Sequence, residues 1–166
     1  MSAGDASKDD QPRDTLPLAV QSARAAAPVG AYPHARRGGN LLFLSGVGPR
    51  QRRDNSIPGL VLGADGRIES YDFEAQVHAT IANMRAVVED AGANWTDLVD
   101  VTAFLTDMRR DFAAYNRIWA SEFGGHGQPW PTRTTVEVGA LPTAIAFELK
   151  GVVWVGDRPA TAHRIS

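Results

Sequence analysis

The segment from Asp72 to Ala91 constrains this chain more than any other. Phe73, Val77, Ile81, Met84 and Val88 recur at spacings of four, four, three and four, which places them on one face of an α-helix. Gly92 supplies the stop. A helix apolar along one stripe must lay that stripe on something, and the neighbouring segments read as a sheet. In Leu98 to Thr106, Val99, Val101, Ala103 and Leu105 alternate with Asp100, Thr102 and Thr106, the period of a strand. A second helix is predicted from Asp111 to Phe123, with Phe112, Tyr115, Ile118, Trp119 and Phe123 on one side and Gly124-Gly125 at its end. Arg133 to Val138 and Ile145 to Val155 read as two final strands.

Upstream, the apolar run Leu41 to Leu44 closes on Ser45-Gly46-Val47-Gly48-Pro49, which favours a buried strand. Asp65-Gly66 marks a hairpin turn. Strand, helix, strand, helix, strand, strand, after a small β region, predicts an α+β fold: a mixed sheet with two helices packed on one face. The other face then carries Ala146, Glu148, Val152 and Trp154, and too little chain remains to cover it, so self-association is expected there. Residues 1–26 are predicted to be a tail, disordered over Met1 to Asp14 and weakly helical over the alanine-rich Leu16 to Ala27. The domain spans 27–156 and a C-terminal tail 157–166.

The 166 residues include no cysteine, which excludes disulfides, thiolate catalysis and cysteine-ligated metals and suits a reducing cytoplasm. A net charge of −2 gives no general drive toward nucleic acid or an anionic membrane. No apolar run approaches the roughly 20 residues that span a bilayer. His34, His78, His126 and His163 are scattered without ligand spacing, so no metal is expected. Gly46-Val47-Gly48 lacks the third glycine and the following helix of a dinucleotide loop. What remains is Arg133, opening a strand, and Glu148 on the next one. By spacing alone the two could form an ordinary salt bridge across a solvated sheet face, worth ~0–1 kcal/mol.

Collinear motifs add to this reading. Gly30-Ala31-Tyr32, Leu42-Phe43-Leu44-Ser45-Gly46, Glu89-Asp90-Ala91-Gly92, Asp111 to Asn116, and Arg133 to Val138 with Leu141-Pro142 closely resemble the RidA family of reactive-intermediate deaminases. The resemblance runs from about Ala27 to Val155. Tyr32-Pro33-His34, Ser45 to Arg50, Ile57-Pro58-Gly59 and Tyr71-Asp72 are similar, more narrowly, to 2-aminomuconate deaminases. Pro33, His34 and Thr135 depart from the serine, glutamine and cysteine common in the wider family.

The resemblance implies a chorismate-mutase-like sheet with the last strand inside it, a homotrimer with sites between subunits, and hydrolytic deamination without a cofactor. It assigns Arg133 to the substrate carboxylate, Glu148 to the attacking water, and Asn116 and Tyr32 to the pocket lining. The implied reaction converts 2-aminomuconate to 2-oxohex-3-enedioate and ammonia in aromatic catabolism. A general 2-imino acid deaminase and a non-enzymatic ligand-binding trimer are the alternatives. A dicarboxylate substrate needs a second cation, because a desolvated carboxylate without a partner is costly. Arg50, in the cluster Arg50-Gln51-Arg52-Arg53, is the preferred candidate, with His34 and Arg36 behind it.

Overall fold

The computed structural model describes residues 19–124, 127 and 129–156. Met1 to Asp14, the tail 157–166, His126 and His163 lie outside the described residues. The strands are β1 (Ala19–Val20), β2 (Ala35–Gly38), β3 (Leu41–Leu44), β4 (Val61–Leu62), β5 (Ile68–Ser70), β6 (Leu98–Leu105), β7 (Thr132–Glu137) and β8 (Phe147–Trp154). The helices are α1 (Phe73–Asp90) and α2 (Met108–Phe123). A six-stranded mixed sheet runs β1-β2-β3-β8-β6-β7, with β6 and β7 parallel and the other pairs antiparallel. The last strand therefore sits inside the sheet, between β3 and β6, as the resemblance implies. β4 and β5 form a separate hairpin around Asp65-Gly66, where Gly66 takes φ +77°.

The long helix follows its sequence pattern. Asp72 caps it by accepting the Ala75 N–H at 3.0 Å, and Phe73, Val77, Ile81, Met84 and Val88 are all buried. It crosses β8 at Gly151, where any Cβ would run into Met84 and Leu98. Glycine here leaves room for the Met84 side chain of α1 against the strand.

Three expectations are corrected. The second helix starts one turn early, at Met108, because Asp107 caps it by accepting the Arg110 N–H at 3.0 Å. Counting back by helical turns from Tyr115 and Ile118 then leads to Asp111, not Phe112. Asp111 is buried, accepting the Tyr71 hydroxyl at 2.6 Å, while Phe112 is left at the rim. In β6 a bulge between Leu98 and Asp100 turns Val99 outward, 42% exposed, and Leu98 takes its place in the core. The helix expected over Leu16 to Ala27 does not form in its described part. Ala19 and Val20 pair with Arg36 and Ala35, so the backbone hydrogen bonds go to an edge strand instead.

Both helices cover one sheet face. Leu42, Leu44, Val101, Ala103, Leu105, Phe147, Leu149 and Val153 are buried beneath them. The opposite face has no layer of its own among the described residues. Phe43 (46% exposed) and Trp154 (49%) stand on it beside the half-buried Phe104, Val136 and Val152. No helix among the described residues is long and apolar enough to cross a membrane.

Candidate active site

Glu148 points out of the helix-free face of β8 into a cleft of about 120 Å³. Tyr32, Val29, Gly46, Arg50 and Pro142 share its lining. The strand geometry explains the placement: Phe147 and Leu149 are drawn under the helices, so Glu148 between them must face away. Its carboxylate lies against Gly46. A side chain at position 46 would collide with it and displace it from the cleft. Burial pushes the Glu148 carboxyl above the usual carboxylate range.

The far wall of the cleft is the loop after β3. The Val47 N–H donates to the Leu149 carbonyl at 2.8 Å, stitching this loop beside β8. Asn83 of α1 donates to the Gly48 and Arg50 carbonyls at 2.9 and 2.8 Å. Arg50 sits at the rim, its Nη1 donating to Asn55 Oδ1 at 2.9 Å and its Nη2 to the Ala27 carbonyl. Two of its five N–H donors are used in this way. His34 lines the cleft as well, but both ring nitrogens are taken. Nδ1 accepts the Ser22 N–H at 3.0 Å, and Nε2 lies 2.9 Å from the Ala26 carbonyl.

Arg133 lies elsewhere. It runs from β7 beneath α2, with its guanidinium carbon 4.9 Å from the Tyr115 ring centroid and 5.2 Å from that of Trp119. Nη2 donates to Asn116 Oδ1 at 2.7 Å, while the buried Nη1 has no hydrogen-bond partner among the described residues. Aromatic faces and one amide thus hold the cation while leaving donor capacity unspent. Burial pushes the phenol of Tyr115 upward, so it stays neutral beside the guanidinium.

Arg133 and Glu148 do not meet within one chain. Arg133 pairs with Val101 and Glu148 with Phe104, two β6 residues three apart that point to opposite faces. The expectation that they share a face is corrected by this register. Tyr32, Arg50, His34 and Glu148 are gathered at one cleft, and Arg133 with Asn116 forms a second cluster across the sheet.

A family model described as Endoribonuclease L-PSP matches residues 22–155. The chain belongs to the RidA/YjgF family. Among its RidA/YjgF relatives, a RutC family protein of Pyrococcus abyssi is 32% identical over 131 residues, covering 79% of this chain and 91% of that one. The 2-iminobutanoate/2-iminopropanoate deaminase of Escherichia coli is 29% identical over 133 residues, 80% of this chain and 94% of that one. Its fold matches the YjgF gene product of E. coli with a TM-score of 0.70 at 28% identity, covering 82% and 97% of the two chains. E. coli TdcF with bound serine matches with the same TM-score at 27% identity, covering 82% and 97%.

The part played in this cleft by two residues is not legible from motifs. Gly46 looks like a strand terminus until β8 is placed beside it. Asn83 lies off the apolar stripe of α1, where a polar residue is unremarkable. Its contact with the Gly48 and Arg50 carbonyls depends on where the loop after β3 lies against the helix, which no local pattern shows.

Proposed function

We propose that this chain is a hydrolytic deaminase of 2-imino acids, working without a cofactor in sites completed between the copies of a homotrimer. The observation that carries the reading is the partition of chemistry between the two sheet faces. A half-buried carboxylate with a raised pKa waits in a cleft on one face. A guanidinium with an unspent buried donor waits on the other. In the trimer proposed, the open face of one copy meets the β7 edge of the next, so that Arg133 of one chain faces Glu148 of its neighbour; the exposed Phe43 and Trp154 favour such an association. The relatives named as imine deaminases support the substrate class.

In the step proposed, Arg133 grips the carboxylate beside the imine carbon with its planar fork. Glu148 takes a proton from water as the oxygen attacks that carbon, and the raised pKa makes it a stronger base than an exposed carboxylate. Proton return to nitrogen and cleavage of the C–N bond release ammonia and leave the keto acid.

A narrower reading, 2-aminomuconate as the substrate, has one observation in its favour: Arg50 shares the cleft with Glu148 and keeps free donors for a second carboxylate. Ammonia release from 2-iminopropanoate and from 2-aminomuconate separates the readings. The general reading expects turnover of 2-iminopropanoate; the narrower one expects a preference for the dicarboxylate. Under the narrower reading Arg50→Ala lowers kcat/KM for 2-aminomuconate about tenfold more than for 2-iminopropanoate, the loss of one charge-assisted hydrogen bond. Equal effects remove Arg50 from substrate recognition. Ammonia release from neither compound leaves a ligand-binding protein.

A further inference from the structure

One wall of the Glu148 cleft is made by chain with no regular structure of its own. Ala26, Ala27, Pro28 and Val29 border the cleft between β1 and β2. Such a segment has no ladder to hold it, so its position depends on side chains that bind its backbone. Several do. Arg52 donates to the Ala23 carbonyl and Arg50 to that of Ala27, both at exposed positions. Arg24 reaches Glu89 and Asp90 through exposed ion pairs, which contribute little. The Ser22 hydroxyl donates to Asp90 at 2.6 Å and accepts the Arg24 and Ala25 N–H groups.

The buried anchor is His34. His34 and Ser22 are each only 6% exposed. Because Nδ1 accepts the Ser22 N–H, the proton of the neutral ring is on Nε2, which donates to the Ala26 carbonyl. One imidazole therefore satisfies a donor and an acceptor four residues apart on the same segment and spans it like a brace. The backbone of His34 faces the other way: its carbonyl accepts the Ser45 N–H at 2.9 Å, beside the Gly46 on which the Glu148 carboxylate rests. A single residue thus bonds both walls of the cleft.

We propose that His34 is a positioning residue that fixes the 22–29 segment as a wall of the substrate cleft, setting how firmly substrate is held rather than how fast it reacts. This rests on the reading that the Glu148 cleft takes the imine. It also replaces the role in binding a distal carboxylate, for which the ring has no free nitrogen.

The test uses three variants of the full chain. His34→Phe keeps a ring but removes both nitrogens, His34→Ala removes ring and nitrogens, and His34→Gln restores an amide with one donor and one acceptor. Two readouts are taken: hydrogen exchange of the backbone from Ser22 to Val29, and the separate values of kcat and KM. Losing one buried and one part-buried hydrogen bond should raise exchange of the segment and KM each about tenfold or more in the Phe and Ala variants, with kcat within about twofold. The Gln variant should recover most of both. Unchanged exchange in His34→Phe overturns the anchor. Raised exchange with unchanged KM shows that the wall does not shape the substrate site, and lost kcat with unchanged KM puts His34 in the chemistry; either overturns the proposal. If the wild-type chain turns over neither substrate, the deaminase reading fails instead, and exchange alone decides whether His34 anchors the wall.

Discussion

Along β8, Phe147, Leu149, Gly151 and Val153 point under the helices, whereas Glu148, Lys150, Val152 and Trp154 point away from them. The first set is buried and close-packed: the Phe147 ring meets Phe73 at 5.6 Å and Tyr115 at 5.0 Å between centroids. The second mixes a carboxylate, an ammonium and exposed apolar groups. The same eight residues of chain thus hold the fold together on one side and carry the candidate chemistry on the other. The period of two in a strand makes this division possible, and it leaves the candidate catalytic carboxylate anchored between close-packed neighbours.

The comparison breaks most visibly in the core. Phe147→Ala should destabilise the chain by roughly 3–5 kcal/mol, since the cavity is closed in by two other rings. Against a total stability of about 5–15 kcal/mol, denaturant unfolding will show much of the margin gone. Phe43→Asp, on the open face, should leave the chain folded but move its mass by light scattering from three copies toward the 17.8 kDa of one. Equal loss of stability in both variants would mean that the open face is as much core as the covered one.

A smaller effect, in activity, sharpens the idea of sites shared between copies. Arg133→Ala and Glu148→Gln should each lower kcat/KM at least about a hundredfold, the loss of two charge-assisted hydrogen bonds or of the base. Arg133→Lys should not rescue, because an ammonium lacks the fork. When the two inactive variants are unfolded together and refolded as mixed trimers, about a quarter of the sites regain both groups from neighbouring copies. No recovered activity in verified mixed trimers would show that each site is built within one chain.

The smallest effect is on stability against pH. The folded pKa of Glu148 is raised, so the folded state binds the proton more tightly than the unfolded one. Stability then falls as pH rises through the carboxylate range. Below that range both states are protonated and the group makes no difference. Glu148→Gln, which stays neutral, should therefore match the wild type at acid pH and exceed it slightly in Tm at neutral pH. The same Tm difference at both ends would assign the effect to packing rather than to charge.

How much of this was legible beforehand follows the range of the interactions. The α1 stripe, the alternation of β8 and the hairpin at Asp65-Gly66 are local patterns, and the chain folds as they indicate. The apolar spacing of α2 does not mark its start; the Asp107 cap sets it one turn earlier, and that turn changes which residue completes the buried stripe. Arg133, Glu148, Asn116, Tyr32 and Arg50 were nameable from motifs. Their distribution over two faces was not, since it depends on strand register.

The sequence by itself determined the elements, their order and which residues of each prefer burial, because helix and strand periods act over a few residues. It also limited which groups can do chemistry, since no thiol is present and the work falls to arginines and carboxylates. Only the tertiary structure decided that Gly46 carries the Glu148 carboxylate and that the His34 ring bonds Ser22 and Ala26. Each of these joins segments far apart in the chain: Gly46 lies 102 residues from Glu148. Closing such loops costs entropy that no local pattern reveals, and the packing that repays it exists only once both segments are in place.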